Sequence, residues 1–301
     1  MHPGSLLSSL LSYVPMSDPK CSYKFTFEPG WFVDYPVISH SCPGSKLTTQ
    51  PNLGLPDDRE WTRLTEHVER LNHQDNSDII HKILLVARHG HGVHNDVMEE
   101  VGSEEWKNHW SKLPGDANRT WLDAELVEKG VEQATDLGKM YAEGTRHAGF
   151  PVPDTIYTSP LARGLKTTSL IFKEIIVGQG IEFRPIVKEY LRERLTNHTC
   201  DKRRTRQWIQ ASYPDYELES GFAEEDVLWH ADQSESNEAH IARTQELLED
   251  VWRHDSGSCI ALTTHSFTIS TILEVIGAPE FRMGEGAMVA LLVKGEKFNA
   301  K

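Results

Sequence analysis

A chain of 301 residues, 38% hydrophobic and 25% charged, is long enough to bury one large core, which excludes fibrous and disordered classes. Its formal net charge of −14 argues against nucleic-acid binding, which needs a basic face to displace counterions. A small phosphate ligand stays compatible, because salt screens charges beyond roughly 8 Å and a few local arginines set the potential of a pocket.

In chain order, residues 1–81 form an N-terminal extension expected to pack on the main domain. It opens with SLLSSLLSYV, read as an amphipathic or disordered leader because no lysine or arginine precedes it and no clear cleavage site follows. Isolated aromatics follow (Phe25, Phe27, Trp31, Phe32, Tyr35), and Asp58 to Leu71 has helical periodicity. Residues 82–301 then alternate short β-rich runs with longer helical ones. KILLVA reads as a strand, 91–125 as a polar, tryptophan-bearing insertion of the kind that forms lids, and Leu126 to His147 as a helix. DTIYTS is a strand and a helix starts at Pro160 with Ser159 as its cap. EFRPIVK, helices near Lys202–Ser212 and Asn237–Arg253, CIALTT, a helix through Ile276 and MVALLV complete the series. Such alternation predicts an α/β domain, a three-layer α/β/α sandwich around a mostly parallel sheet. No run is long enough to span a bilayer, so no membrane partner is expected. Cys21, Cys42, Cys200 and Cys259 contain no CxxC pair, which speaks against a zinc ribbon or disulfide scaffold and for a reducing, cytoplasmic setting.

Three strands end in chemistry. KILLVA runs into Arg88 and His89, CIALTT into His265, and TIYTS into a segment carrying Arg163. Open α/β sheets build their sites at the carboxyl ends of strands, so these groups are expected to converge. Guanidinium forks suit the oxygens of a phosphoryl group, and a neutral histidine suits nucleophilic attack on phosphorus. Two nearby guanidinium groups should lower the pKa of His89 and keep it neutral.

The RHG after a strand, SPLARGLKT and the strand ending at His265 resemble the histidine phosphatase superfamily, or phosphoglycerate mutase-like proteins, over roughly Lys82 to Val293. LDAELVEKGVEQA is similar to a further family segment, with Val127 where threonine is usual. HTCDKR resembles a fungal mutase-like branch. The resemblance implies a phosphoglycerate mutase-like fold and a hydrolase that acts on the phosphate monoester of a small metabolite, with no cofactor and no metal. His89 would carry the phosphoryl group, Arg88, Arg163 and His265 would bind its oxygens, and Glu193, in EYLRERL, would be the general acid and base. Asn95 would lie near the pocket. The chain departs from the family at His91, where glutamate or glutamine is common, at Gly92, where serine or threonine is, and at Ser266, where glycine is.

Other readings stay open. A phosphomutase would return the phosphoryl group to another hydroxyl, and a non-catalytic protein would only bind phosphate esters. His89, His91 and His94 invite a metal-site reading, but in an extended segment His94 would face away from the other two. Glu193 and the Lys202, Arg203, Arg204 and Arg206 cluster also read as solvated charged faces.

Overall fold

The computed structural model describes residues 21–39, 46–73 and 78–299. The expected leader lies outside them. The strands are β1 (Cys21–Phe27), β2 (Ile79–Arg88), β3 (Thr155–Thr158), β4 (Ile186–Val187), β5 (Glu217–Leu218), β6 (Cys259–Thr264) and β7 (Met288–Asn299). The α-helices are α1 (Tyr35–Ser39), α2 (Trp61–Asn72), α3 (Val93–Val101), α4 (Ser103–Asn108), α5 (Glu128–His147), α6 (Ala162–Gly178), α7 (Arg206–Ser212), α8 (Asn237–His254) and α9 (Ser266–Val275). None is long and apolar enough to cross a membrane.

The seven strands form one sheet in the order β1-β7-β2-β6-β3-β4-β5. The pairs from β2 through β5 are parallel, and β7 is antiparallel to both β2 and β1. Strand side chains alternate between faces, so the continuous apolar run of β2 feeds two cores. Ile83, Leu85 and Ala87 pack with residues of α2, α5, α6 and α7. Leu84 and Val86 pack with α8 and α9. Helices cover both faces of a mostly parallel sheet, which is the three-layer α/β/α architecture expected.

Several local expectations change. Residues 21–27 are an edge strand, with Tyr23 and Phe25 buried beside Trp252. β7 extends well past MVALLV, paired with β2 as far as Glu296 and with β1 from Val293 to Asn299. The 91–125 insertion contains α3 and α4, and Val97, Trp106, Trp121, Ala124 and Cys200 form a small core of their own. Its buried tryptophans are packing anchors. α6 begins at Ala162, so Pro160 precedes the helix and Ser159 is not its cap. α7 begins at Arg206, where the Thr205 hydroxyl accepts the Trp208 N–H.

The start of α5 lies against the loop that follows β2. The backbones meet so closely that a Cβ on Gly130 would stand 2.0 Å from the His91 carbonyl oxygen, and one on Gly90 would stand 2.3 Å from that of Gly130. Backbone has nowhere to retreat in a packed site. Gly130→Ala should therefore cost roughly 1–3 kcal/mol of stability, read as a lower denaturant midpoint at unchanged m-value; an unshifted midpoint would refute the contact.

Candidate active site

The parallel register builds the site. Arg88 of β2 pairs with Thr264 of β6, and Thr158 of β3 pairs with Thr263. The residues just beyond these pairs, His89, His265 and Ser159, therefore emerge side by side at the carboxyl edge. The His89 N–H donates to the Thr264 carbonyl at 3.0 Å and the Ser159 N–H to that of Thr263 at 3.0 Å. Neighbouring strands lie about 4.8 Å apart; the His89 and His265 ring centroids are 4.9 Å apart.

Each ring is held at one edge. His89 Nδ1 lies 2.7 Å from the Gly90 carbonyl oxygen. A carbonyl only accepts, so Nδ1 carries the hydrogen and the neutral ring keeps its lone pair on Nε2. His265 Nε2 lies 2.7 Å from Ser159 Oγ, which also accepts the Leu161 N–H at 3.2 Å. The hydroxyl assigned to a helix cap thus orients the second histidine.

The loop itself is fastened from outside. The Gly90 N–H donates to Thr167 Oγ1 at 3.1 Å, the His91 N–H to Gln133 Oε1 at 2.8 Å and the Gly92 N–H to Asn95 Oδ1 at 2.9 Å. Asn95 is buried near the pocket, and its side-chain oxygen ties the first turn of α3 to Gly92.

Arg88 and Arg163 are almost fully buried, and their outer nitrogens are spoken for. Arg88 donates to the Met283 carbonyl at 2.6 Å and pairs with Glu285 at 2.8 Å. Burial works to raise the Glu285 carboxyl, but Arg88 and Lys46 outweigh it and hold it at about 2. Arg163 donates to the Cys200 carbonyl at 2.7 Å and to Asp201 at 3.1 Å. The Nε atoms of both arginines, His265 Nδ1 and His94 Nδ1 are buried without a protein partner. Orphaned polar atoms are costly and scarce in folded proteins. Gathered around two imidazoles, they are what a pocket for an external anion requires.

Burial lowers the pKa of His89 well below its usual value, and Arg163 and Arg88 lower it further. His265 is depressed for the same reasons. The expected direction holds, although burial rather than the arginines is its largest cause.

Glu193 is half-buried at the start of α9, accepting N–H bonds from Arg194 at 2.9 Å and Phe267 at 3.1 Å. Burial raises its pKa, the Asp201 carboxylate adds to this, and backbone donors and Arg163 only partly oppose it. Its charged run is no solvated face. Arg192 is fully buried between Asp226 and Glu189, and Arg203 donates to Glu189 and to the carbonyls of Ala223 and Glu225.

The expected separation of His94 from His89 is overturned. The chain turns helical at Val93, and this brings the His94 ring to 5.7 Å from that of His89. His91 turns instead to Asp96, with Nε2 2.8 Å from Oδ1. Among the described residues the triads of metal-binding type are His91–Asp96–Glu99 and His198–Cys200–Asp201, and neither includes His89. A cavity of about 520 Å³ lined by Lys166, Trp208 and Tyr213 lies apart from the imidazoles.

The sequence profile of the histidine phosphatase superfamily (branch 1) matches residues 103–290. The chain belongs to that superfamily. In this histidine phosphatase superfamily member the matched stretch holds Arg163, Glu193 and His265, while Arg88 and His89 lie just ahead of it. A protein of Arthroderma benhamiae named "Probable phosphoglycerate mutase" is 39% identical over 97% of this chain and 91% of its own length. The "Probable phosphoglycerate mutase PMU1" of Saccharomyces cerevisiae is 30% identical over 88% and 94%. The "Phosphomutase-like protein 3" of Candida albicans is 29% identical over 85% and 76%.

Two further carboxylates support the superfamily member's pocket. Asp123, in left-handed backbone, accepts the N–H groups of Ala162 at 2.9 Å and Arg204 at 3.0 Å, and burial raises its carboxyl to about 6. Asp201 holds Arg163 and accepts the Thr196 hydroxyl at 2.8 Å. Removing one member of a buried pair leaves an uncompensated charge. Asp201→Ala should cost roughly 3–5 kcal/mol in a denaturant titration, and a loss under half that would mean Arg163 does not depend on it.

Proposed function

We propose that this protein is a metal-independent phosphatase that hydrolyses the phosphate monoester of a small metabolite through a phosphohistidine at His89. The observation that carries the reading is the pair of imidazoles at 4.9 Å, both acted on by two buried arginines whose Nε atoms have no partner.

The chemistry follows from the hydrogen bonds. His89 Nε2 attacks phosphorus while Nδ1–H stays on the Gly90 carbonyl, and the ester P–O bond breaks as the N–P bond forms. Arg88, Arg163 and His265 bind the phosphoryl oxygens. With the Ser159 hydroxyl donating to Nε2, His265 keeps a hydrogen on Nδ1 to offer one of them. The two guanidinium groups supply fixed positive charge where a metal ion otherwise would. Glu193, protonated, gives its proton to the leaving oxygen. As a carboxylate it then takes a proton from the water that cleaves the N–P bond, which releases inorganic phosphate and restores His89.

A cytoplasmic setting belongs to the proposal, supported by the free, buried thiols Cys200 and Cys259. The relatives' printed names favour a second reading, a phosphomutase. A coupled assay comparing phosphate release with isomer formation separates the two.

His89→Ala should abolish turnover of a phosphate monoester without loss of fold, and rapid-quench labelling of the wild type should trap acid-labile phosphate on His89. Activity should survive chelator. Undiminished turnover in the variant would remove the proposal, and loss with chelator would remove its metal independence.

The pH profile has a definite sign. Only protonated Glu193 serves the first step, so kcat/KM should fall as pH rises through its elevated pKa. His89, depressed well below 6.5, should add no loss near that value. Glu193→Gln should lower kcat about 10²- to 10⁴-fold and flatten the alkaline limb; an unchanged limb would assign it to another group.

A further inference from the structure

The tight turn after the RHG loop carries a side chain that the reaction above does not use. α3 begins at Val93, directly after Gly92, and folds His94 back over the loop until its ring lies 5.7 Å from that of His89. Burial, and after it the charges of Arg163 and Arg88, hold the pKa of this ring well below its usual value, as they do for His89 and His265. Its Nδ1 is buried with no partner. A neutral imidazole carries one hydrogen, and in His94, as in His265, the unpartnered Nδ1 is the position left to donate it to a ligand.

Gly92 explains how the ring fits. Its φ of −107° and ψ of 166° are extended backbone open to any residue, so conformation does not call for glycine. Space does. A Cβ there would stand 2.9 Å from His94 Nδ1, 3.0 Å from its Cε1 and 3.1 Å from the Glu125 carbonyl oxygen. A side chain at 92 would have to push the imidazole of 94 from the place it occupies.

We propose that His94 is a third imidazole of the phosphoryl pocket, donating to a phosphoryl oxygen, and that position 92 lacks a side chain to admit it. This rests on the phosphatase reading and deepens it. The chain fills with a ring from α3 the space that the RHG loop leaves open.

The test uses the full chain and orthovanadate, a phosphoryl mimic whose binding is read by calorimetry without turnover. His94→Ala should weaken vanadate about 10- to 100-fold, the scale of a hydrogen bond to a charged group, and lower kcat/KM for p-nitrophenyl phosphate in parallel, at near wild-type melting temperature. His94→Gln, which keeps an N–H donor, should recover part of the loss. Gly92→Ser should weaken vanadate by a similar factor on its own and add little in the His94→Ala background. Wild-type vanadate affinity in His94→Ala overturns the contact. Multiplying effects of the two substitutions overturn the exchange of space. Where His89→Ala abolishes turnover and His94→Ala changes nothing, this inference fails while the phosphatase reading stands. A wild type that binds no vanadate and releases no phosphate removes both.

Discussion

The pairing of β2 with β6 is the constraint on which the site depends. Parallel neighbours end at the same edge, and the match of Arg88 with Thr264 makes the next residue of each strand a histidine in the same row. A slip of one residue would turn one imidazole to the opposite face of the sheet. The two-sided burial of both strands forbids such a slip, because Leu84 and Val86 serve one core while Ile83 and Leu85 serve the other. The geometry of the candidate site is a by-product of core packing, which holds it more rigidly than a loop would.

Around this row lies a shell of buried ion pairs. Arg163 is held by Asp201, Arg192 by Asp226 and Glu189, Arg203 by Glu189, and Arg243 by Glu235. Arg243 also donates to the backbone carbonyls of Tyr190, Arg192 and Glu193. Such pairs contribute little net stability, since desolvation offsets most of the attraction. What they contribute is direction: each fork fixes a backbone or a carboxylate at one angle. Glu193 sits in this lattice between Arg192 and Arg194, and the backbone N–H groups of Arg194 and Phe267 fix its carboxylate.

Much of this was legible from residue order. The spacing of Leu137, Tyr141 and their neighbours marked α5, and the apolar runs marked β2 and β6, because periodicity reports burial directly. Strand ends placed Arg88, His89 and His265 at one edge. What escaped notice depended on long-range partners. Tyr23, Phe25 and Phe27 alternate as a half-buried strand should, yet a lone short run shows its purpose only when β7 is beside it. Arg203 looked solvated because its acceptors, Glu189 and the carbonyls near 223–225, are remote in sequence. An extended chain would turn His94 away from His89, but a helix begins at Val93 and nothing local announces it. Ser159 has the local signature of a helix cap, while its hydroxyl faces His265 at the end of the neighbouring β6.

The pairing of β1 with β7 has a consequence for the stretch ahead of β2. β7 is paired with β2 from Met288 to Glu296 and with β1 from Val293 to Asn299, so a strand from ahead of β2 closes a border formed by the last strand of the sheet. A chain shortened past residue 27 would leave that border of amides and carbonyls open to any other extended polypeptide, the usual opening for self-association.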